Sequence, residues 1–191
     1  MLGCIYNTNR EWFEYIREAE IDTDVNFWRK NTNQFKMINP GEFFWFRVKT
    51  DDGKRKIMGY GVYEKYEILT IEEAWRKYGE GNGAPTKEKF LELMKQSQFG
   101  RDLTFHSRIG CIILNNVCCF EDDEGIDLEN IGIDFSKNIV GGKRVDDEIL
   151  KRLAQATITE AEFELPEIDS KDKKRILEYF QKLHVVQKQS S

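Results

Sequence analysis

Apolar positions in this chain switch repeatedly between a period of two and a period of three to four. Alternation, or a continuous apolar run, marks a strand, whereas i, i+3, i+4 spacing marks a helix. Cys4-Ile5-Tyr6 reads as a short first strand. Asn7-Thr8-Asn9 then offers capping side chains to a helix with Trp12, Phe13, Ile16 and Ala19 on one face. Residues 22–33 are polar with aromatic punctuation and read as a loop. Pro40-Gly41 turns into a strand over 43–49, Asp51-Asp52-Gly53 makes a hairpin, and 56–69 returns as a long strand. Gly59 and Gly61 inside that strand predict a bulge or a close backbone approach.

Thr70 caps a helix over 71–78, with Glu72 and Glu73 in the first turn where the helix dipole favours acids. Residues 79–83, Gly-Glu-Gly-Asn-Gly, end it, and Thr86 starts another helix that runs to about Gln96. The nearly continuous apolar run 109–117 predicts a central strand that extends through 118–120. Residues 125–138 are irregular and acidic, and 146–155 form a short helix. Mostly antiparallel strands interleaved with helices make an α+β domain, and strands with glycine kinks predict a small curved β-barrel flanked by helices. Two parts are expected: a domain over 1–156, and an acidic linker with a C-terminal amphipathic helix over 157–191, where Ile176, Leu177, Phe180 and Leu183 share a face.

Composition narrows the class. At 191 residues, 40% hydrophobic and 13% aromatic, the chain can bury a real core. No apolar run reaches the ~20 residues of a membrane helix, and the start is too short for a secretory signal, so a cytoplasmic location with no membrane partner is expected. Cys4, Cys111, Cys118 and Cys119 contain no C-x-x-C pair. Reduced buried thiols fit better than zinc ligation or disulfides. The net charge of −5 is unevenly spread. Residues 121–134 hold seven acidic residues and no basic one, and 160–169 hold five more, which leaves the rest of the chain net basic. A polarised molecule of this kind can hold a polyanion on one face.

Catalytic motifs are missing where they should stand. Two histidines, His106 and His184, are too few for an HNH nuclease or a histidine-built metal site. Val140-Gly141-Gly142-Lys143-Arg144 fails as a phosphate loop, because Lys137 stands at the first glycine position and Arg144 replaces Ser/Thr. Residues 79–83 follow a helix rather than a strand and fail as a dinucleotide fingerprint. No G-x-S-x-G elbow occurs. The expectation is therefore a binding protein rather than an enzyme, with no cofactor and no metal.

The chemistry that remains is aromatic, amide and cation, densest over residues 25–63. An extruded base needs an aromatic sandwich and a few amides or hydroxyls for its edge. Trp28, in a polar segment beside Asn26, is the expected stacking residue, with Trp45 or Tyr60 as the second wall. Asn7, Thr8 and Asn26 are expected to read the base edge. Arg29, Lys30, Lys137, Lys143 and Arg144 are expected to hold phosphates. Trp12 and Trp75 fall on helix faces and read as core.

The order Thr8-Asn9-x-x-Trp12-Phe13, Val25-Asn26-Phe27-Trp28, Pro40-Gly41-Glu42-x-Phe44-x-Phe46 and Gly59-x-Gly61 carries a family resemblance. It continues through Ala74-Trp75-x-x-Tyr78-Gly79-x-x-Asn82-Gly83, the run 109–114, and Asn138-Ile139-Val140-x-Gly142-Lys143. Over about residues 4–146 the chain resembles the N-terminal recognition domain of HNH restriction endonucleases, and through it the PUA-like superfamily of EVE, YTH and ASCH domains. Related domains stand ahead of the GTP-driven motor in the McrB subunit of modification-dependent restriction systems. The resemblance implies a β-barrel with a pocket for a flipped, modified base, and Asn7-Thr8 occupies the place of the Lys-Ser pair that ends the first EVE strand. It implies DNA carrying a modified base as one partner, and as the other a nuclease or motor in a further domain or subunit. A reader of modified RNA, a small amidohydrolase of the ASCH kind using a Lys/Thr/Glu group, and a protein-interaction module are the alternatives.

Overall fold

The computed structural model describes residues 3–96, 102–135 and 141–157. Strand β1 (Gly3–Thr8) runs into helix α1 (Arg10–Glu18), followed by β2 (Val25–Arg29). Strands β3 (Phe43–Lys49) and β4 (Arg55–Thr70) form the expected hairpin. Helix α2 (Ile71–Tyr78), a 3-10 turn (Gly79–Asn82) and helix α3 (Lys87–Lys95) lead to β5 (Arg108–Cys119). Strand β6 (Gly142–Val145) and helix α4 (Asp147–Thr157) complete the described chain. The expected linker and final helix over 157–191 lie, beyond Thr157, outside the described residues. Among the described residues no helix is long and apolar enough to cross a membrane.

Local chemistry explains the helix starts. The Asn9 side chain accepts the Trp12 amide at 3.0 Å. Thr70 and Glu73 form a reciprocal capping box, and the Thr86 hydroxyl accepts the Lys89 amide at 3.1 Å.

The six strands form one sheet in the order β2-β5-β4-β3-β1-β6. Neighbours are antiparallel apart from the parallel β1/β3 pair. As the run of apolar residues predicts, β5 is interior, between β2 and β4. Register shifts after Phe46, Tyr60 and Tyr63 bend the long strands. The bend requires glycine at position 59: its φ is +154°, and a Cβ there would lie 2.2 Å from the Cys118 carbonyl.

Two expectations need correction. Residues 25–29 are a strand, not a loop, because their backbone pairs with 110–114 of β5. The barrel does not close: β2 and β6 stand at opposite edges of the sheet and are not paired with each other. The sheet nevertheless curls far enough for Phe27 on β2 to meet Tyr6 on β1 edge-on, with ring centroids 5.3 Å apart, and Phe44 on β3 at 4.7 Å. Aromatic rings line the seam where a hydrogen-bonded ladder would need strands about 4.8 Å apart.

Alternation along the strands divides the core. Phe44 and Phe46, Phe27 and Val25, with Trp12 and Phe13 of α1, form one cluster on the inner face. Phe43, Trp45 and Tyr60 point the other way, against Ile126, Leu128 and α4. Helices α2 and α3 cover the β5 end of that outer face, over Cys111 and Ile113. Neighbours Cys118 and Cys119 pack on opposite faces, as expected of adjacent strand residues.

Candidate nucleic-acid interface

The open seam between β1 and β2 holds a cavity of about 170 Å³ lined by Tyr6, Asn7, Asn9, Trp12, Phe27, Trp28 and Arg29. Strand β1 supplies Tyr6 and Asn7, the cap of α1 supplies Asn9, and β2 supplies the other wall. Four of these seven residues are aromatic. A site of about 150 Å³ accepts a benzene-sized ring, so this one suits a single planar heterocycle rather than a drug-sized ligand.

Trp28 is half-buried, and its position is fixed from behind. Its indole N–H donates to the Asn82 carbonyl at 3.1 Å, and its ring lies 6.0 Å from that of Phe90 on α3. With the N–H occupied, Trp28 presents a ring face rather than a donor. Trp12 is held in the same way, donating to the Asn26 carbonyl at 3.2 Å.

Sequence-expected residues divide by location. Asn7, Trp28 and Arg29 line the cavity. The Asn7 side-chain oxygen accepts from Arg47 at 3.0 Å, and Arg47 in turn sits 4.3 Å over the Phe135 ring. Burial, with Arg55 nearby, lowers the Arg47 pKa. Thr8 is buried, donates to the Tyr6 carbonyl at 3.0 Å and does not line the cavity. Asn26 is fully buried behind the wall, and its side-chain N–H donates to Asn82 at 2.8 Å. Trp45 and Tyr60 correct the expected second wall. Both are buried on the outer face of the sheet, their rings 5.2 Å apart, and cannot oppose Trp28. Burial raises the Tyr60 phenol pKa far above its ordinary value. Alternation placed them there: Trp45 sits between Phe44 and Phe46, which took the inner face.

Sequence reasoning missed Tyr6 and Phe27 and read Trp12 as core alone. A pattern of period two marks which side chains share a face but not which face reaches the seam.

Cations gather beside the seam. Arg144 on β6 is exposed and donates to the Lys36 carbonyl at 3.5 Å, which ties the β6 edge to the loop after β2. Lys143 donates to the Asp134 carbonyl at 2.6 Å. Lys30 is partly buried, which lowers its pKa. Arg29 is engaged: its guanidinium lies 5.4 Å from both the Phe35 and Tyr66 rings and donates to the Asn33 carbonyl, so it anchors the loop to β2. Lys137 lies outside the described residues. The acidic block 121–134 is docked rather than free. Ile126 bridges to Ile57, Asp122 pairs with Arg17 at 2.7 Å and Asp127 with Lys54 at 3.2 Å. Lys54 of the β3–β4 hairpin therefore faces a carboxylate, whereas Arg144 on β6 is exposed.

The thiols are set for packing. Burial pushes Cys111 up to about 11 and Cys119 up to about 12.

Solved structures of ASCH from Zymomonas mobilis share this fold. A substituted variant aligns with a TM-score of 0.56 at 10% identity, covering 81% of this chain and 98% of that one. The unsubstituted protein aligns at 0.54 and 12% identity, covering 80% and 94%. A second variant aligns at 0.51 and 12% identity, with the same coverage. At these identities the likeness establishes an ASCH-like fold and nothing finer. No protein-family model matches the chain, and no curated protein is significantly similar to it.

Proposed function

We propose that the chain is a PUA-like recognition module that takes one flipped, modified base of DNA into the β1–β2 seam. The observation that carries this reading is the 170 Å³ cavity, its size matched to one ring and its lining mostly aromatic. The occupant stacks against Trp28, with Tyr6, Phe27 and Trp12 enclosing its apolar side and Asn7 and Asn9 at the rim. A lining so poor in polar groups favours a base carrying an apolar substituent over a strongly hydrated one. Lys30, Lys143 and Arg144 hold the flanking phosphates, and their contribution weakens as salt rises. This role fits a modification-dependent restriction system in which cleavage or GTP-driven translocation belongs to a further domain or partner.

The ASCH likeness brings a second reading, hydrolysis of a modified nucleoside by a Lys/Thr/Glu group. Recognition is favoured because the cavity lining contains neither lysine, threonine nor glutamate, and Thr8 turns its hydroxyl to the Tyr6 carbonyl.

The test is an anisotropy titration with matched duplexes carrying 5-methylcytosine, 5-hydroxymethylcytosine, N6-methyladenine or no modification, beside RNA of the same sequence. One modified duplex is expected to bind at least tenfold tighter than plain DNA. Equal binding of every duplex refutes modified-base recognition. Tighter binding of modified RNA transfers the reading to RNA, where the 2′-OH contributes. Release of a product from N4-acetylcytidine supports the hydrolase instead.

A further inference from the structure

Both tryptophans of the cavity donate their indole N–H to a backbone carbonyl of an asparagine: Trp12 to Asn26 and Trp28 to Asn82. The same two asparagines are joined through their side chains at 2.8 Å. Asn82 is fully buried, and its amide also donates to the Ala74 carbonyl at 3.1 Å and the Gly79 carbonyl at 2.7 Å. The first carbonyl belongs to α2 and the second to the 3-10 turn that follows it, so the Asn82 side chain ties that turn to the helix. The turn that carries Asn82 is wedged on both sides. A Cβ on Gly83, at φ +79°, would lie 2.0 Å from the Trp12 ring, and one on Gly81 would lie 2.6 Å from the Asp24 carbonyl.

We propose that the Asn26–Asn82 amide pair is the positioning element of the cavity, fixing the angle of Trp12 and Trp28 from outside it. Neither side chain lines the cavity. The pair acts by making the orientation of two stacking rings depend on the α2–α3 turn. A preset ring loses little freedom when a base arrives, so the gain appears as affinity and as selectivity for shape. This inference rests on the seam as the binding site, and its test is built so that the two can fail separately.

The variants are Asn82→Ser and Asn26→Ser in the full chain, the second read from the strand side should the first fail to fold. In ¹⁵N-labelled protein without ligand, the indole N–H groups of Trp12 and Trp28 are expected to exchange at least tenfold faster than in wild type. Amides of β3 and β4 should keep their rates. Affinity for the tightest-binding duplex of the modification series is expected to fall about tenfold at a temperature where circular dichroism shows the variant folded. Unchanged indole exchange, or acceleration spread evenly over the whole sheet, overturns the positioning role. Wild-type affinity in a variant whose indoles have loosened overturns its link to binding. Undiminished preference in Trp28→Ala overturns the seam reading instead and leaves the exchange result standing.

Discussion

Trp28 is the residue whose replacement separates stacking from scaffolding most sharply. Trp28→Ala removes the ring that faces the seam cavity and the donor to the Asn82 carbonyl. Base–aromatic stacking contributes about 1–3 kcal/mol, so affinity for the preferred duplex should fall roughly 5- to 150-fold. The stability cost stays below the about 3–5 kcal/mol of a fully buried tryptophan, because Trp28 is half-buried and meets α3 mainly through Phe90. Trp28→Phe keeps a smaller ring face and removes the indole hydrogen bond, a loss of about 1 kcal/mol in folding, together with the packing of the second ring. The N–H is held by the Asn82 carbonyl, so Trp28→Phe should lose no more than the about tenfold affinity expected of Asn82→Ser. Anisotropy titrations with modified and plain duplexes, run beside urea unfolding, report both quantities. If Phe weakens binding as much as Ala, the indole N–H rather than the ring face makes the contact. If Ala retains the preference for modified DNA, the seam is not the binding site.

Three further outcomes follow from the fold. Trp45→Leu should cost about 2–3 kcal/mol in urea unfolding and leave oligonucleotide affinity unchanged, because Trp45 is buried on the face away from the seam; a loss of binding in a folded variant would restore it as a wall. Gly83→Ala combines a left-handed backbone with a methyl 2.0 Å from the Trp12 ring, and should lower unfolding stability by about 2–5 kcal/mol; a cost under 1 kcal/mol would mean that the turn yields easily. For Glu67, burial alone would raise the pKa, but hydrogen bonds from Lys77 and Tyr78 outweigh it and the net shift is downward. Its stabilisation is therefore present above the unfolded carboxylate pKa of about 4.3 and is lost as pH falls through the lower folded value. Chemical denaturation between pH 5 and about pH 2 should show a shallower acid loss in Glu67→Gln than in wild type, and parallel curves would refute the linkage.

How much of the molecule could be read from its residues depends on how local the determining interactions are. The caps of α1, α2 and α3 were visible as Asn9, Thr70 and Thr86, because a cap and its target amide lie within three residues. The β3–β4 hairpin and the interior position of β5 were visible in alternation and in an unbroken apolar run. Strand β2 was not, because Val25-Asn26-Phe27-Trp28-Arg29 mixes polar and aromatic residues on both faces. Its Asn26 is buried with its amide donating to Asn82, 56 positions away. Among candidate site residues, Trp28 and Asn7 reached the cavity, whereas Trp45 and Tyr60 carry the same chemistry and did not.

By itself the sequence determined the types of the elements other than β2 and β6, the kinks at Gly59 and Gly61, an aromatic and amide inventory suited to a flat ligand, and the uneven charge. Each follows from backbone sterics, period or composition, which act over a few residues. The tertiary structure decided that the sheet curls without closing, which rings line its seam, and that the acidic block 121–134 packs against the β3–β4 hairpin while Arg144 on β6 stays exposed. It also decided that Asn26 supports the cavity wall instead of facing its interior. These outcomes rest on pairings between segments far apart in the chain, and the choice of face is set by which segment arrives to cover it.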